Sequence, residues 1–236
     1  MSDTTAAGAG SAPAGPDPDA TPVRHVEAVI DLLGMLAHGE LQAFDRMAAD
    51  ARLAPDVARR AVLSEMAGYE IANYQRIAAR LDALGADPAQ AMAPFRAALQ
   101  DYHEQTQPSD WLEAVTKAYV GDSIADDFFR EVAQFLGPDD RALVLDVLHD
   151  ARYANFAAEE IRAALAADPS VRNRLSMWAR RLVGEAITQA QRVAADRSTF
   201  VALISHGSAD LSGVAALLGR LTSAHTARME AVGLNN

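Results

Sequence analysis

The chain reads as an all-α protein: a four-helix bundle with one long crossover connection and two additional C-terminal helices. Three observations predict this class. Ala and Leu abound, and nowhere do β-branched residues alternate with polar ones as a half-buried strand requires. Gly and Pro sit where long periodic segments start or stop. Four of those segments carry an acid in the middle of an apolar stripe.

The first helix is expected from about Pro22 to Arg52. Pro55 suits a first-turn position, where its missing N–H costs nothing, and opens a second helix running to about Leu84. Gly85 suits the left-handed conformation that ends it. Asp87 to Gln107, broken by Pro94, predicts one or two short helices bridging the bundle. Asp110 with Glu113 three residues on resembles a capping box, opening a third long helix that ends at Gly137-Pro138. A fourth is expected over about Asp139 to Ala167. Asp168-Pro169 then starts a fifth, Ser205-His206-Gly207-Ser208 breaks it, and a last helix covers about Leu211 to Met229.

Composition bounds what such a bundle does. The 236 residues are 50% hydrophobic, enough for one substantial core. The net charge of −11 argues against RNA as a partner, since a nucleic-acid surface needs a basic face to replace phosphate counterions. Arg172, Arg174, Arg180 and Arg181, and likewise Arg59 and Arg60, read as solvated helix faces. There is no Cys, which removes disulfides, thiolate metal sites and thiol catalysis. Residues 1–21 lack a basic n-region and an apolar run, so they read as a disordered tail before a helical domain over 22–236. No apolar run approaches the roughly 18 residues that would cross a bilayer, and a cytoplasmic location is expected.

The acids carry the chemistry. Helical faces repeat at three- and four-residue steps. Leu33, Ala37, Glu40, Phe44 and Met47 share one stripe; Ala58, Val62, Glu65, Tyr69 and Ala72 share another. The third helix gives Val115, Ala118, Asp122, Ala125 and Phe129, with Asp126 one turn beyond Asp122. The fourth gives Leu143, Val147, Asp150, Ala154, Ala157 and Ile161. Glu40 lies 13 residues before a first turn centred near Leu53 and Glu65 lies 12 after it. Asp150 lies 12 residues after Pro138, with Asp122 and Asp126 16 and 12 before it. The four acids are therefore expected at one level of the bundle, with either Asp122 or Asp126 from the third helix.

Clustered buried carboxylates must hold protons, pair with cations or bind metal. A carboxylate-rich site suits iron or manganese. Two short hairpins joined by a long crossover is the connectivity of ferritin-like bundles, whose di-metal sites take Glu from two helices and Glu-x-x-His from the other two. Here the expected tetrads are Glu65-Met66-Ala67-Gly68 and Asp150-Ala151-Arg152-Tyr153. Neither ends in His. His149 is rotated by roughly 100° from Asp150. His25, His38, His103, His206 and His225 fall near helix ends or away from the expected level.

Several stretches sharpen the likeness: Gly39-Glu40-Leu41, Pro108-Ser109-Asp110-Trp111-Leu112, Lys117-Ala118-Tyr119-Val120-Gly121-Asp122, Leu182-Val183-Gly184-Glu185-Ala186 leading into Gln189-Ala190-Gln191-Arg192-Val193, and Ala224-His225-Thr226. With these, Val26 to Leu234 resembles the actinobacterial ferritin-like proteins similar to the tRNA hydroxylase that acts on the methylthio-isopentenyl adenosine base. The resemblance implies a six-helix fold and a di-iron site on Glu40, Glu65, Asp122 and Asp150, with histidines at the positions of Gly68 and Tyr153.

The residues support three readings. The first is a di-metal oxidoreductase, its iron or manganese weakly held or absent because of Gly68 and Tyr153, with Tyr69 or Tyr153 as a redox-active phenol. The second is a metal-free bundle that binds a small apolar molecule or a partner protein, with Gly68 opening a pocket. The third is a cofactor-independent enzyme using one raised-pKa carboxyl as general acid. The fifth and sixth helices offer surface for a homodimer.

Overall fold

The computed structural model describes residues 20–148, 151–197 and 212–235. The expected tail, apart from its last two residues, lies outside them. So do His149, Asp150 and the expected break at Ser205 to Ser208. Among the described residues every regular element is helical.

Helix α1 (Ala20–Asp50) tightens into a 3₁₀ turn, Ala51–Leu53, before α2 (Val57–Ala83). Pro55 stands outside α2 rather than in its first turn, because Asp56 is the cap: its Oδ1 accepts from the Arg59 N–H at 2.9 Å. Gly85, at φ +78°, ends α2 as expected, with Ala86 N–H returning to the Leu81 carbonyl at 3.0 Å. The crossover holds α3 (Pro88–Met92) and α4 (Arg96–Gln105). Asp110 caps α5 (Trp111–Lys117) by accepting from Glu113 N–H, and Glu113 reaches back to Ser109 N–H, each at 2.9 Å.

The third bundle helix is not uniform. After α5 it widens into a π segment, Ala118–Asp122, and resumes as α6 (Ser123–Ala133). The fourth is interrupted: α7 (Pro138–Val147) ends at Leu148, whose backbone is extended, and α8 (Ala151–Ala167) comes next. The Val147 carbonyl, robbed of a helical partner by that interruption, accepts from the Asn73 side-chain amide at 2.9 Å. Then come α9 (Val171–Asp196) and α10 (Ser212–Ala231). Helix α9 lies against α4, α5 and the π segment, and α10 against α6.

The core divides in two. One apolar cluster gathers Met47, Met66, Ala67, Trp111, Val115, Val120, Ala157, Ile161 and Leu182; the other gathers Leu32, Leu33, Ala37, Ile77, Leu81, Phe129, Val132 and Val147. Along each bundle helix the switch between clusters falls in one short interval: after Ala37 and before Met47, after Ala67 and before Ile77, after Val120 and before Phe129, after Val147 and before Ala157. Whatever occupies those intervals forms a slab between two cores. That slab is polar.

Candidate functional site

From α1 the slab receives Glu40, buried at 3% exposure, and Arg46; from α2 it receives Glu70, at 2%. Asp122 enters at the end of the π segment, and Tyr153 from α8. Arg46 is the organising group. One guanidinium nitrogen donates to both Asp122 oxygens, at 2.9 and 2.8 Å, and another stands 3.8 Å from Asp50 Oδ2. Burial works against the charge on Arg46, but Asp122, Asp50, Tyr102 and Glu70 outweigh it and hold its pKa above the usual arginine range.

Asn73, three residues after Glu70, completes the α2 contribution. Its amide donates to Glu40 Oε2 at 3.3 Å as well as to the Val147 carbonyl. The Tyr153 phenol packs beside Met47, with Oη 3.5 Å from Sδ. Burial pushes the Tyr153 pKa up, and the nearby charges of Glu70, Asp122 and Glu40 push it further against the pull of Arg46. It stays protonated and acts as a donor.

A second polar group adjoins the first. Lys117 is buried and donates to the Thr106 carbonyl at 2.7 Å, with its ammonium 5.3 Å from the Tyr102 ring centroid. Burial, reinforced by Arg46, pulls its pKa down to about 7, and Asp50 and Asp122 oppose that shift. The pKa of Asp50 is raised by burial, against the pull of Arg46 and Lys117. His103, edge-on to Tyr102 at 5.1 Å between ring centroids, is driven down to about 2 by burial and then by Lys117 and Arg46. His38 is lowered by burial and Arg96.

The structure rearranges the expected site. Glu40, Asp122 and Tyr153 meet in the slab. Glu65 does not: it lies on the exposed face of α2, with Gly68 beside it and Tyr69 55% exposed. Gly68 stands on that solvent-exposed face, where a Cβ would meet nothing within 4 Å. The α2 acid is Glu70, and its tetrad is Glu70-Ile71-Ala72-Asn73. The difference arises at the turn. Its centre is Pro55, not Leu53, because the helical path continues through Ala51–Leu53; measured from Pro55, Glu40 and Glu70 are each 15 residues away. Five residues also rotate a helix by about 140°, which carries Glu65 to the outside. Asp122 is bonded to Arg46 within the slab, whereas the neighbouring Asp127 pairs with Arg228 of α10, so Asp122 is the third-helix acid seen to engage the slab's cation. Asp150 lies outside the described residues.

Arg46, Asn73, Tyr102, Lys117 and His103 are site residues that the apolar stripes do not single out. A signal existed for two of the slab's groups. Leu63, Met66, Glu70, Ile77 and Leu81 form the bulkier stripe of α2, which selects Glu70 over Glu65, and Arg46 stands one turn before Asp50. Lys117, Tyr102 and His103 come together only through the packing of α4 on α1 and α9, which no local pattern encodes.

Among the described residues the donor set departs from the di-iron pattern. Asn73 offers an amide where the ferritin-like pattern has imidazole, and both Asp122 oxygens are taken by a permanent cation. Among the described residues no three His, Cys, Asp or Glu side chains are placed to share one ion.

Helix order, the single crossover and a layer of buried acids between two cores define a ferritin-like bundle. The family model described as a ferritin-like domain of actinomycetes matches residues 23–207, well over half of the chain, and the protein belongs to that family. No curated protein matches the chain. No described helix is long and apolar enough to cross a membrane.

Proposed function

We propose that this ferritin-like protein binds a small apolar molecule beside a carboxylate layer neutralised by its own side chains, and that it works without a di-metal centre. One observation carries the reading: the Arg46 guanidinium, bonded to both oxygens of Asp122 within the slab. A cation fixed there supplies the charge compensation that metals supply in a di-metal bundle, and a divalent ion on Asp122 would have to displace it. An apolar cavity of about 280 Å³ opens next to the slab, walled by Gly39 and Gly121, the immediate neighbours of Glu40 and Asp122. Concave, mostly apolar pockets with few polar groups are the usual form of a small-molecule site. The net charge of −11 supports such a ligand over RNA.

The second reading is an oxidoreductase of di-metal descent, as the likeness to the tRNA hydroxylase implies, with iron or manganese on Glu40 and Asp122, Glu70 standing in for the Glu65 of that likeness, and Asp150 as the sequence pattern expects. The π segment that presents Asp122 favours it, because π-bulges recur at functional sites. Metal analysis of freshly purified protein and an anaerobic Fe(II) titration separate the two. The binding reading expects far less than one metal per chain and no Fe(II)-dependent oxygen uptake. Stoichiometric iron or manganese with oxygen consumption abolished by Asp122→Asn would overturn it.

A further inference from the structure

We propose that the cavity takes a neutral molecule of about ten to twelve non-hydrogen atoms with a single oxygen, and that the Tyr102 hydroxyl holds that oxygen. The proposal rests on the binding reading and gives it a ligand class.

The size comes from the volume. A cavity of about 150 Å³ holds benzene, and this one, at about 280 Å³, is nearly twice as large. Its walls come from α1, α4, α6, α9 and α10 and are aliphatic and aromatic: Met35, Leu99, Phe128, Ile187 and Leu221 are representative. Most polar side chains along the walls are already engaged. Gln189 donates to Glu185 at 2.7 Å and accepts from Arg192 at 3.1 Å, and Thr222 donates to the Leu218 carbonyl at 2.8 Å. Gln191 is solvent-exposed.

Tyr102 is different. Its ring lines the cavity, yet its hydroxyl is buried and has no hydrogen-bond partner. The neighbouring Thr106 hydroxyl is spent on the Tyr102 backbone carbonyl at 2.5 Å. The hydroxyl packs against Gly121, where a Cβ would stand 2.7 Å from the Tyr102 oxygen, so the glycine is what lets the phenol reach this edge of the cavity. A buried hydroxyl left unbonded is costly, so a ligand oxygen that accepts its proton is favoured strongly over a hydrocarbon end. Burial and then Asp122 raise the phenol's pKa, which keeps that proton in place.

Charge sets the remaining condition. The charged groups around the phenol are Asp122 and Glu185, which are acidic, Arg46, which is already paired with Asp122, and Lys117, whose ammonium stands 5.3 Å from the ring centroid and donates to the Thr106 carbonyl. A ligand carboxylate would lose its hydration in an apolar channel where both nearby cations are already engaged. A ketone, ester or alcohol meets neither penalty.

Calorimetric titration of the full chain with 2-nonanone, n-nonane and nonanoate tests this, alongside Tyr102→Phe and Gly39→Phe variants checked for helicity. Gly39 lines the cavity and a Cβ there meets nothing within 4 Å, so a bulky side chain can start into the cavity without a clash at its base. The wild type is expected to bind 2-nonanone about five- to tenfold tighter than nonane, the worth of one neutral hydrogen bond, with nonanoate weakest. Tyr102→Phe should equalise ketone and alkane without weakening the alkane, and Gly39→Phe should abolish all three. Equal affinities in the wild type, or a ketone preference that survives Tyr102→Phe, would overturn the Tyr102 assignment and leave the binding reading standing. Binding that survives Gly39→Phe would overturn the cavity as the site. No binding of any probe would overturn the assignment and the binding reading together.

Discussion

Arg46 holds two carboxylates, Asp122 and Asp50, out of bulk water, and the energetics of buried pairs set the cost of removing it. Such a pair contributes little beyond an apolar substitute, but losing one partner strands the other. Arg46→Met should therefore lower stability at pH 7 by about 3–5 kcal/mol in urea unfolding. Protonation of the stranded acids relieves the penalty, so the deficit should shrink as the pH falls toward 4. A deficit constant with pH would mean that Arg46 acts by packing alone. His103 gives the opposite limb. Its folded pKa, about 2, lies far below its ordinary value of 6.5, so as the pH drops below 6.5 the unfolded chain takes up a proton that the folded chain refuses. Stability is lost as the pH falls through that window. His103→Phe should remove up to about 1.4 kcal/mol per pH unit from the acid slope between pH 6 and 4. An unchanged slope would show that the imidazole becomes charged without unfolding.

The helices themselves are legible from caps and breakers, because those signals are local. Asp56, Asp87 and Asp110 each accept an N–H three residues on, and Gly85 takes the positive φ its position demands. What the pattern does not fix is phase. Placing one turn centre at Leu53 instead of Pro55 is enough to exchange Glu70 for Glu65 and Asn73 for Gly68. The interruption at Leu148 is also illegible, since its compensation comes from Asn73, far away in sequence. Close approach of elements is hidden for the same reason. Gly34 shows it best: a Cβ there would lie 2.3 Å from the Ala91 carbonyl oxygen, so α3 rests on α1 backbone to backbone. Gly34→Ala should push α3 away and cost about 1–3 kcal/mol despite the better helix propensity of Ala. A stabilised variant in thermal unfolding would refute that contact.

At the scale of the molecule, the bundle is two apolar cores with a charged slab between them, and the slab's level is where four helices pass from one core to the other. The sequence displays this as acids interrupting apolar stripes, which is why the architecture and the place of Glu40 and Asp122 are readable from it. The cations that answer those acids are not, because Arg46 and Lys117 look like ordinary helix-surface residues until the packing buries them. The π segment adds a different kind of consequence. A π-bulge carries one more residue than the α-helical path it replaces, so the chain can shorten there without turning either flank. Deleting Gly121 should leave α5 and α6 seated in their own cores, whereas deleting Ala125 within α6 should rotate the rest of that helix by about 100° and unseat Phe129 and Val132. The first deletion is expected to stay folded by circular dichroism and lose the Arg46–Asp122 pair; the second is expected to melt at least about 10 °C lower. One codon gained or lost at this point would move a carboxylate into or out of the slab, which makes segment length, as much as residue identity, a route by which such a bundle changes its chemistry.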